Sequence, residues 1–377
     1  MSLAIHPVLL APTPESIRNF LETHQFPIVE GPSVTFVWQG AADQVNLRHW
    51  IYGLPSSQAL TRLPGSDVWW IIVEIPPSSR VEYKLELLRG DKRELVTDPR
   101  NPLHARDPFG ANSVVHGQGY QTPGWLTPDP DARKGTIDDL WVDSAIFGDK
   151  RRLLMYLPAR FRRSRRYPLL FVHDGLDYLH YTGMRAILDN LIHRLEIPEL
   201  ICVFANSPDR LREYAADPRH GRFVTEEVVP LIEGRLPLVG TPAGRCLMGA
   251  SFGAIASLAT AFAVPGFYGR LLLQSGSFAF TDIGKTNHRG PLFDPIVAFM
   301  NEFRRKGAVV AEKLFVSCGQ YESLIYENRS LVPLLQASGM EVRYVEARDG
   351  HNWENWRDRL REGLSFLFPG PLWLVYE

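Results

Sequence analysis

The sequence predicts a small all-β sandwich followed by a larger α/β domain, whose mostly parallel sheet is covered by helices on both faces. Three observations carry this. Up to about residue 116 the chain reads as short runs rich in Val, Ile, Trp and Tyr, spaced by turn residues and without long helical periodicity. Residues 117–134 (GQGYQTPGWLTPDPDARK) then crowd proline, glycine and charge together, as a linker does. Beyond it, strand-length apolar runs alternate with helical patterns, the signature of buried parallel strands joined by helices. The division expected is therefore 1–118 for the sandwich, 119–134 for a linker and 135–377 for the α/β domain.

In chain order, Thr13 and Pro14 open a short helix, and the strands that follow are SVTFVWQG, NLRHWIYG, DVWWIIVEI, RVEYKLELL and RELVTD. Alternation within them predicts that Trp38, Trp50, Trp69 and Trp70 enter the core rather than form a sugar-binding face. The second domain opens with TIDDLWV and RRLLMYLP, a pair without an intervening helix that predicts an antiparallel edge. YPLLFVHD, ELICVFAN, GRCLMGA, GRLLLQSG, EKLFVSCG and EVRYVEA complete its strands. Helices are expected near 184–195, 225–235, 252–263, 326–337 and 353–368.

Composition narrows the function. The chain has 377 residues, 45% apolar and 22% charged, enough for a real core. With 41 basic and 42 acidic side chains the net charge is -1, which favours neither nucleic acid nor a membrane surface as partner. The first residues lack a basic stretch and carry Pro7 and Pro12, and no apolar run reaches membrane-spanning length, so a cytoplasmic location is expected. Cys202, Cys246 and Cys318 each fall in an apolar strand and read as inert core thiols. No His/Asp/Glu cluster has metal-ligand spacing, so neither metal nor cofactor is expected.

The strand RCLMG ends in Gly249-Ala250-Ser251-Phe252-Gly253, and a small-residue helix follows at once. Average composition yields on the order of 0.1 matches to G-x-S-x-G in a chain this long, so the bare pattern is weak. Its context is that of a nucleophile elbow, in which a strained turn lifts a serine hydroxyl above the sheet edge while flanking glycines leave room for it. An α/β-hydrolase domain with Ser251 as nucleophile is the reading that follows. Its general base should come later in the chain. His288 lies in a polar loop, whereas His351 sits between the last predicted strand and the last helix, where it can overhang the sheet. The acid that orients the base should leave the preceding strand, KLFVSCG; Glu322 is the carboxylate there, with Asp349 as competitor. The backbone N–H of Phe252 and that of Gly175, in the turn after FVHD, are the expected oxyanion donors.

FVHDG, GASFGAIASL, LLLQSGSF, CGQYESLI and DGHNWENW together resemble the enterochelin esterase and feruloyl esterase group of α/β-hydrolases. VTFVW, WWIIVEIP and VTDPRNP resemble the immunoglobulin-like domain that precedes the catalytic domain of enterochelin esterases. The resemblance implies hydrolysis of a carboxylic ester through an acyl-enzyme, for enterochelin esterases the trilactone of a ferric catecholate siderophore. Such a substrate is bulky and anionic, so its pocket should be cationic and aromatic. Arg185, Arg210, Arg212, Tyr214, Trp353 and Trp356 are the candidates in this chain. The run Arg151, Arg152, Arg160, Arg162, Arg163, Arg165 and Arg166 fits a solvated hairpin loop better than a ligand site. A carbohydrate or feruloyl esterase, an acyltransferase of the same fold and a non-catalytic glycan-binding protein are the alternatives.

Overall fold

The computed structural model describes residues 3–281 and 290–371; His288 lies outside them. The chain forms two compact units that are not consecutive in sequence. One comprises the residues up to Thr122 together with Gly319–Ser323 and Ala347–Asn352, the other Pro123–Cys318, Leu324–Glu346 and the residues from Trp353 on.

The first unit begins with helices His6–Leu10 and Pro14–Thr23. The second is opened as the sequence predicts, by Thr13 and Ser16, each side chain accepting from the other's backbone N–H. Ten strands follow: β1 (Ile28–Glu30), β2 (Ser33–Gln39), β3 (Gln44–His49), β4 (Ser57–Ala59), β5 (Thr61–Arg62), β6 (Val68–Glu74), β7 (Arg80–Arg89), β8 (Lys92–Val96), β9 (His104–Asp107) and β10 (Gly110–His116). They make two antiparallel sheets, β1-β2-β6-β5 and β4-β3-β7-β10-β9 with β8 alongside β7. Val34, Phe36, Trp38 and Trp69 from one sheet meet Val45, Leu47, Val81, Tyr83, Leu85, Leu87 and Val115 from the other in one core. Trp38 and Trp69 are buried cross-strand partners and Trp70 is half-buried. Trp50, expected in the core, is 54% exposed, because β3 ends at His49 and the alternation that would have turned the indole inward stops there.

The second unit is an α/β-hydrolase domain built on an eight-stranded sheet of β11 (Thr136–Ser144), β12 (Asp149–Leu157), β13 (Leu169–His173), β14 (Ile201–Ala205), β15 (Arg245–Ala250), β16 (Arg270–Gln274), β17 (Lys313–Gly319) and β18 (Glu341–Ala347). Their spatial order is β11-β12-β14-β13-β15-β16-β17-β18. β11 and β12 form the antiparallel edge, and β14, β13, β15, β16 and β17 pair in parallel. β13, β14 and β15 are buried at every position, as strands covered on both faces must be. Helices Met184–His193, Phe252–Ala263, Ile325–Ala337 and Trp353–Leu367 stand close to where periodicity puts them. The helix expected over 225–235 is instead an earlier composite, Pro218–Arg222, a π-helical turn Phe223–Val228 and Val229–Glu233. Pro230 has no N–H to offer the preceding turn, and the wide turn lies directly before it. Among the described residues no helix is long and apolar enough to cross a membrane.

Candidate active site

Ser251 sits between β15 and helix Phe252–Ala263 with φ 57° and ψ -120°, a conformation that costs a non-glycine residue about 1–3 kcal/mol and persists only where neighbours enforce it. Those neighbours are visible: its N–H donates to the Gln274 carbonyl at 2.9 Å and its carbonyl accepts from the Ser277 N–H at 3.2 Å. Of the two flanking glycines, Gly249 is sterically required and Gly253 sits in a tight space. A Cβ on Gly249 would lie 2.4 Å from the Gly253 carbonyl, and one on Gly253 would crowd His173 and the Asp174 carboxylate. The half-buried Ser251 hydroxyl lies 3.2 Å from Ser277 Oγ.

The two expected oxyanion donors belong to this same unit. β13 and β15 are parallel neighbours paired at Val172 and Met248, so the turns leaving their carboxyl ends emerge side by side. Phe252 and Gly175 are the first residues of their helices, where N–H groups lack an intrahelical acceptor. A Cβ on Gly175 would fall 2.4 Å from the Phe204 backbone, so only glycine fits. Before it, Asp174 adopts a left-handed conformation with φ 54° and is locked by Arg210, whose Nε and Nη2 donate to the two carboxylate oxygens at 2.7 Å each. Beneath the turn, His173 is fully buried, and burial holds its pKa well below the ordinary imidazole value. Its Nδ1 is 3.0 Å from the Met248 carbonyl, which can only accept, so Nδ1 carries the hydrogen and Nε2 accepts from His220 Nε2 at 3.0 Å.

The predicted base and acid lie in the first unit, on the segments of residues 319–323 and 347–352. Glu322, with a side chain 1% exposed, accepts from the Gly319 N–H at 2.6 Å through Oε1 and from His351 Nδ1 at 2.7 Å through Oε2. A carboxylate on Nδ1 fixes the tautomer that leaves the lone pair on Nε2, as a general base requires. Asp349, the competing carboxylate, faces elsewhere. Its Oδ1 accepts from Arg80 Nη1 at 3.2 Å, from the Gly350 N–H at 2.7 Å and from Asn352 Nδ2 at 2.8 Å. Burial pushes the Asp349 carboxyl up to about 6, with Arg80 opposing the shift.

The loop carrying His351 is pinned from both sides. The Arg80 N–H donates to the Arg348 carbonyl at 2.9 Å, the 2% exposed Arg80 guanidinium also reaches Asn352 Oδ1 at 3.0 Å, and Arg348 Nη1 donates to the Pro77 carbonyl at 2.7 Å. Tyr321, next to Glu322, is held by the Ser79 hydroxyl at 2.5 Å and by the Tyr52 N–H at 2.8 Å. No local motif announces these contacts, since from 242 to 272 positions separate the side-chain partners.

The residues expected at the ligand fare differently. Tyr214 is fully buried, its hydroxyl against the Asp174 N–H at 3.4 Å. Trp353 and Trp356 are 8% and 5% exposed; Trp356 Nε1 donates to Ser275 Oγ at 2.8 Å, and Trp353 packs on Tyr178 and Tyr181. These three are bracing residues, and Arg210 is the Asp174 clamp. Arg185 Nη2 donates to the Gly135 carbonyl at 2.8 Å, and Arg212 is exposed. Proximity in sequence to the turns of Ser251, Gly175 and His351 fixes which strand end a residue follows and not where its side chain points. Arg151 also leaves the expected loop: it lies on β12, buried, paired with Glu213 at 2.7 Å and Asp149 at 2.7 Å. The three cysteines are buried and free.

Comparison with known proteins adds the family. A family model described as putative esterase matches residues 144–367, more than half of the chain. The chain belongs to this esterase family. It is a carboxylic ester hydrolase. Among relatives, the iron(III) enterobactin esterase of Dickeya dadantii is 25% identical over 354 residues, covering 83% of this chain and 80% of that protein. The protein of the same name from Escherichia coli K12 is 23% identical, covering 89% and 91%. Among solved structures, the ferric enterobactin esterase of Salmonella typhimurium superposes with a TM-score of 0.76 at 19% identity, over 93% of this chain and 98% of that one. The Shigella flexneri enterobactin esterase does so with 0.74 at 20% identity, over 93% and 97%.

Proposed function

We propose that this esterase opens the trilactone backbone of a ferric catecholate siderophore of the enterobactin type. The observation that carries the reading is that relatives named iron(III) enterobactin esterase match across both the β-rich first part and the esterase part, not the esterase part alone. In this reading Ser251 Oγ attacks a lactone carbonyl while His351 Nε2 takes its proton, with Glu322 holding the imidazolium from Nδ1. The Phe252 and Gly175 N–H groups receive the oxyanion. The intermediate collapses by breaking the ester C–O bond, and His351 returns the proton to the leaving alkoxide as a hydroxyl. Water, deprotonated by His351, then attacks the acyl-serine, and as the C–Oγ bond breaks to release the product acid, His351 returns the proton to Ser251 Oγ. Iron enters as part of the substrate, and the reading carries a cytoplasmic location with it.

The test is a turnover panel of ferric enterobactin, methyl ferulate and p-nitrophenyl butyrate. The expected order places ferric enterobactin first in kcat/KM, with linear fragments as products. A higher kcat/KM for methyl ferulate moves the enzyme to the feruloyl esterases, and transfer of the acyl group to added glycerol in preference to water makes it an acyltransferase.

A further inference from the structure

The arginine-rich stretch before β13, which the esterase mechanism leaves unused, lines a cavity of about 700 Å³ in the second unit. That volume lies within the range of pockets that hold small organic ligands. Arg160, Arg162, Arg165 and Arg166 come from the loop between β12 and β13, and Arg133 joins them from before β11. Leu195, Ile197 and Pro198, from the connection into β14, line it as well. The lining carboxylates are Asp189 and Glu199. Asp189 is already spent on the Tyr156 hydroxyl and the Gly135 N–H, and Glu199 pairs with Arg165 at 3.2 Å. Arg133, Arg160 and Arg162 form no ion pair among the described residues. A chain of net charge -1 thus concentrates unneutralised guanidinium groups around one hollow, where their mutual repulsion is relieved by an anion.

The apolar wall is built with equal care. Leu195 holds a left-handed conformation with φ 58°, strained for a leucine, and leaves its side chain 40% exposed. Behind it the chain passes so closely that a Cβ on Gly370 would collide with the Leu195 carbonyl. Cationic forks and apolar side chains lining one hollow suit a multiply charged anion with an apolar body, and guanidinium groups match phosphate oxygens two at a time.

We propose that this cavity binds an organic phosphate of nucleotide size. It lies at the amino ends of β13 and β14, whereas Ser251 and Gly175 follow the carboxyl ends of β15 and β13, so one strand length, roughly 16 Å for five residues, separates the two places. The bound anion therefore does not compete with the ester.

Calorimetric titration of the full chain with ATP, tripolyphosphate and adenosine tests this. ATP is expected to bind with a Kd of about 10–100 µM, and adenosine at least ~100-fold more weakly, because the phosphate-guanidinium contacts supply most of the free energy. The exposed pair Arg160→Ala/Arg162→Ala should weaken ATP at least tenfold while p-nitrophenyl butyrate turnover and Tm stay unchanged. Absence of ATP binding at millimolar concentration, binding that survives the double substitution, or competition between ATP and the ester overturns the proposal. Tripolyphosphate binding as tightly as ATP overturns the role given to the apolar wall.

Discussion

The surroundings of Ser251 and of His351, the nucleophile and base of the proposed mechanism, are built in two different ways. Around Ser251 the work is done by backbone: a strained turn, a Gly249 that tolerates no side chain, a tightly enclosed Gly253, and N–H groups at helix starts. Around His351 it is done by side chains, with Glu322 on one ring nitrogen and a buried Arg80–Asp349–Asn352 cluster beneath the loop. Backbone geometry is specified by residues a few positions apart, so it is robust and local. A side-chain cluster drawn from three stretches of chain is neither, and single substitutions should reveal the difference.

The largest effect is expected at the two groups that react in the proposed mechanism. Ser251→Ala and His351→Ala should each lower kcat by about 10⁴–10⁶, and their combination should cost little more, because residues that act as one unit are not additive. Independent, multiplying losses would break the pairing. Next comes the choice of carboxylate: Glu322→Gln should reduce kcat by about 10²–10⁴ through loss of the oriented tautomer, whereas Asp349→Asn should stay within about tenfold of the parent. Arg80→Met should destabilise the protein by about 3–5 kcal/mol, since it leaves Asp349 buried without its cation, and Asp349→Asn in the same chain should recover much of that in chemical denaturation. Arg210→Met loosens Asp174 ahead of Gly175 and should lower kcat by about 10–100-fold with KM little changed, because the oxyanion forms only in the transition state.

The smallest effect is one of pH. The folded Asp349 carboxyl titrates near 6, above its unfolded value, so the folded state binds the extra proton between about pH 4 and 6. Its contribution to stability is therefore fully present below that window and is lost as pH rises through it. Asp349→Asn should flatten this slope and raise Tm above pH 6; an unaltered slope would show that another group titrates there.

The same contrast explains what could be read in advance. The alternation in SVTFVWQG and RVEYKLELL, the apolar run LLFVH and the motif GASFG each specify their structure within a few residues, and sandwich, sheet and elbow stand where they point. Glu322 was also legible, as the carboxylate of the turn after β17 that now meets His351 Nδ1. The burial of Tyr214, Trp353 and Trp356 is not legible, because the sequence shows their position along the chain but not what packs over them. Arg80 carries no local signal; it reads as one more charge at the start of a strand, and its importance rests on Asp349, 269 positions away.

The polypeptide enters its first compact unit three times, the last visit ending at residue 352 of 377. Ribosomes deliver a chain from its amino terminus, and domains ordinarily fold as they emerge. Here the opening 122 residues must wait for residues 319–323 and 347–352 before their unit is complete. A nascent chain thus holds its Ser251 turn well before the Glu322–His351 pair exists, and under the proposed mechanism hydrolysis waits for residue 352.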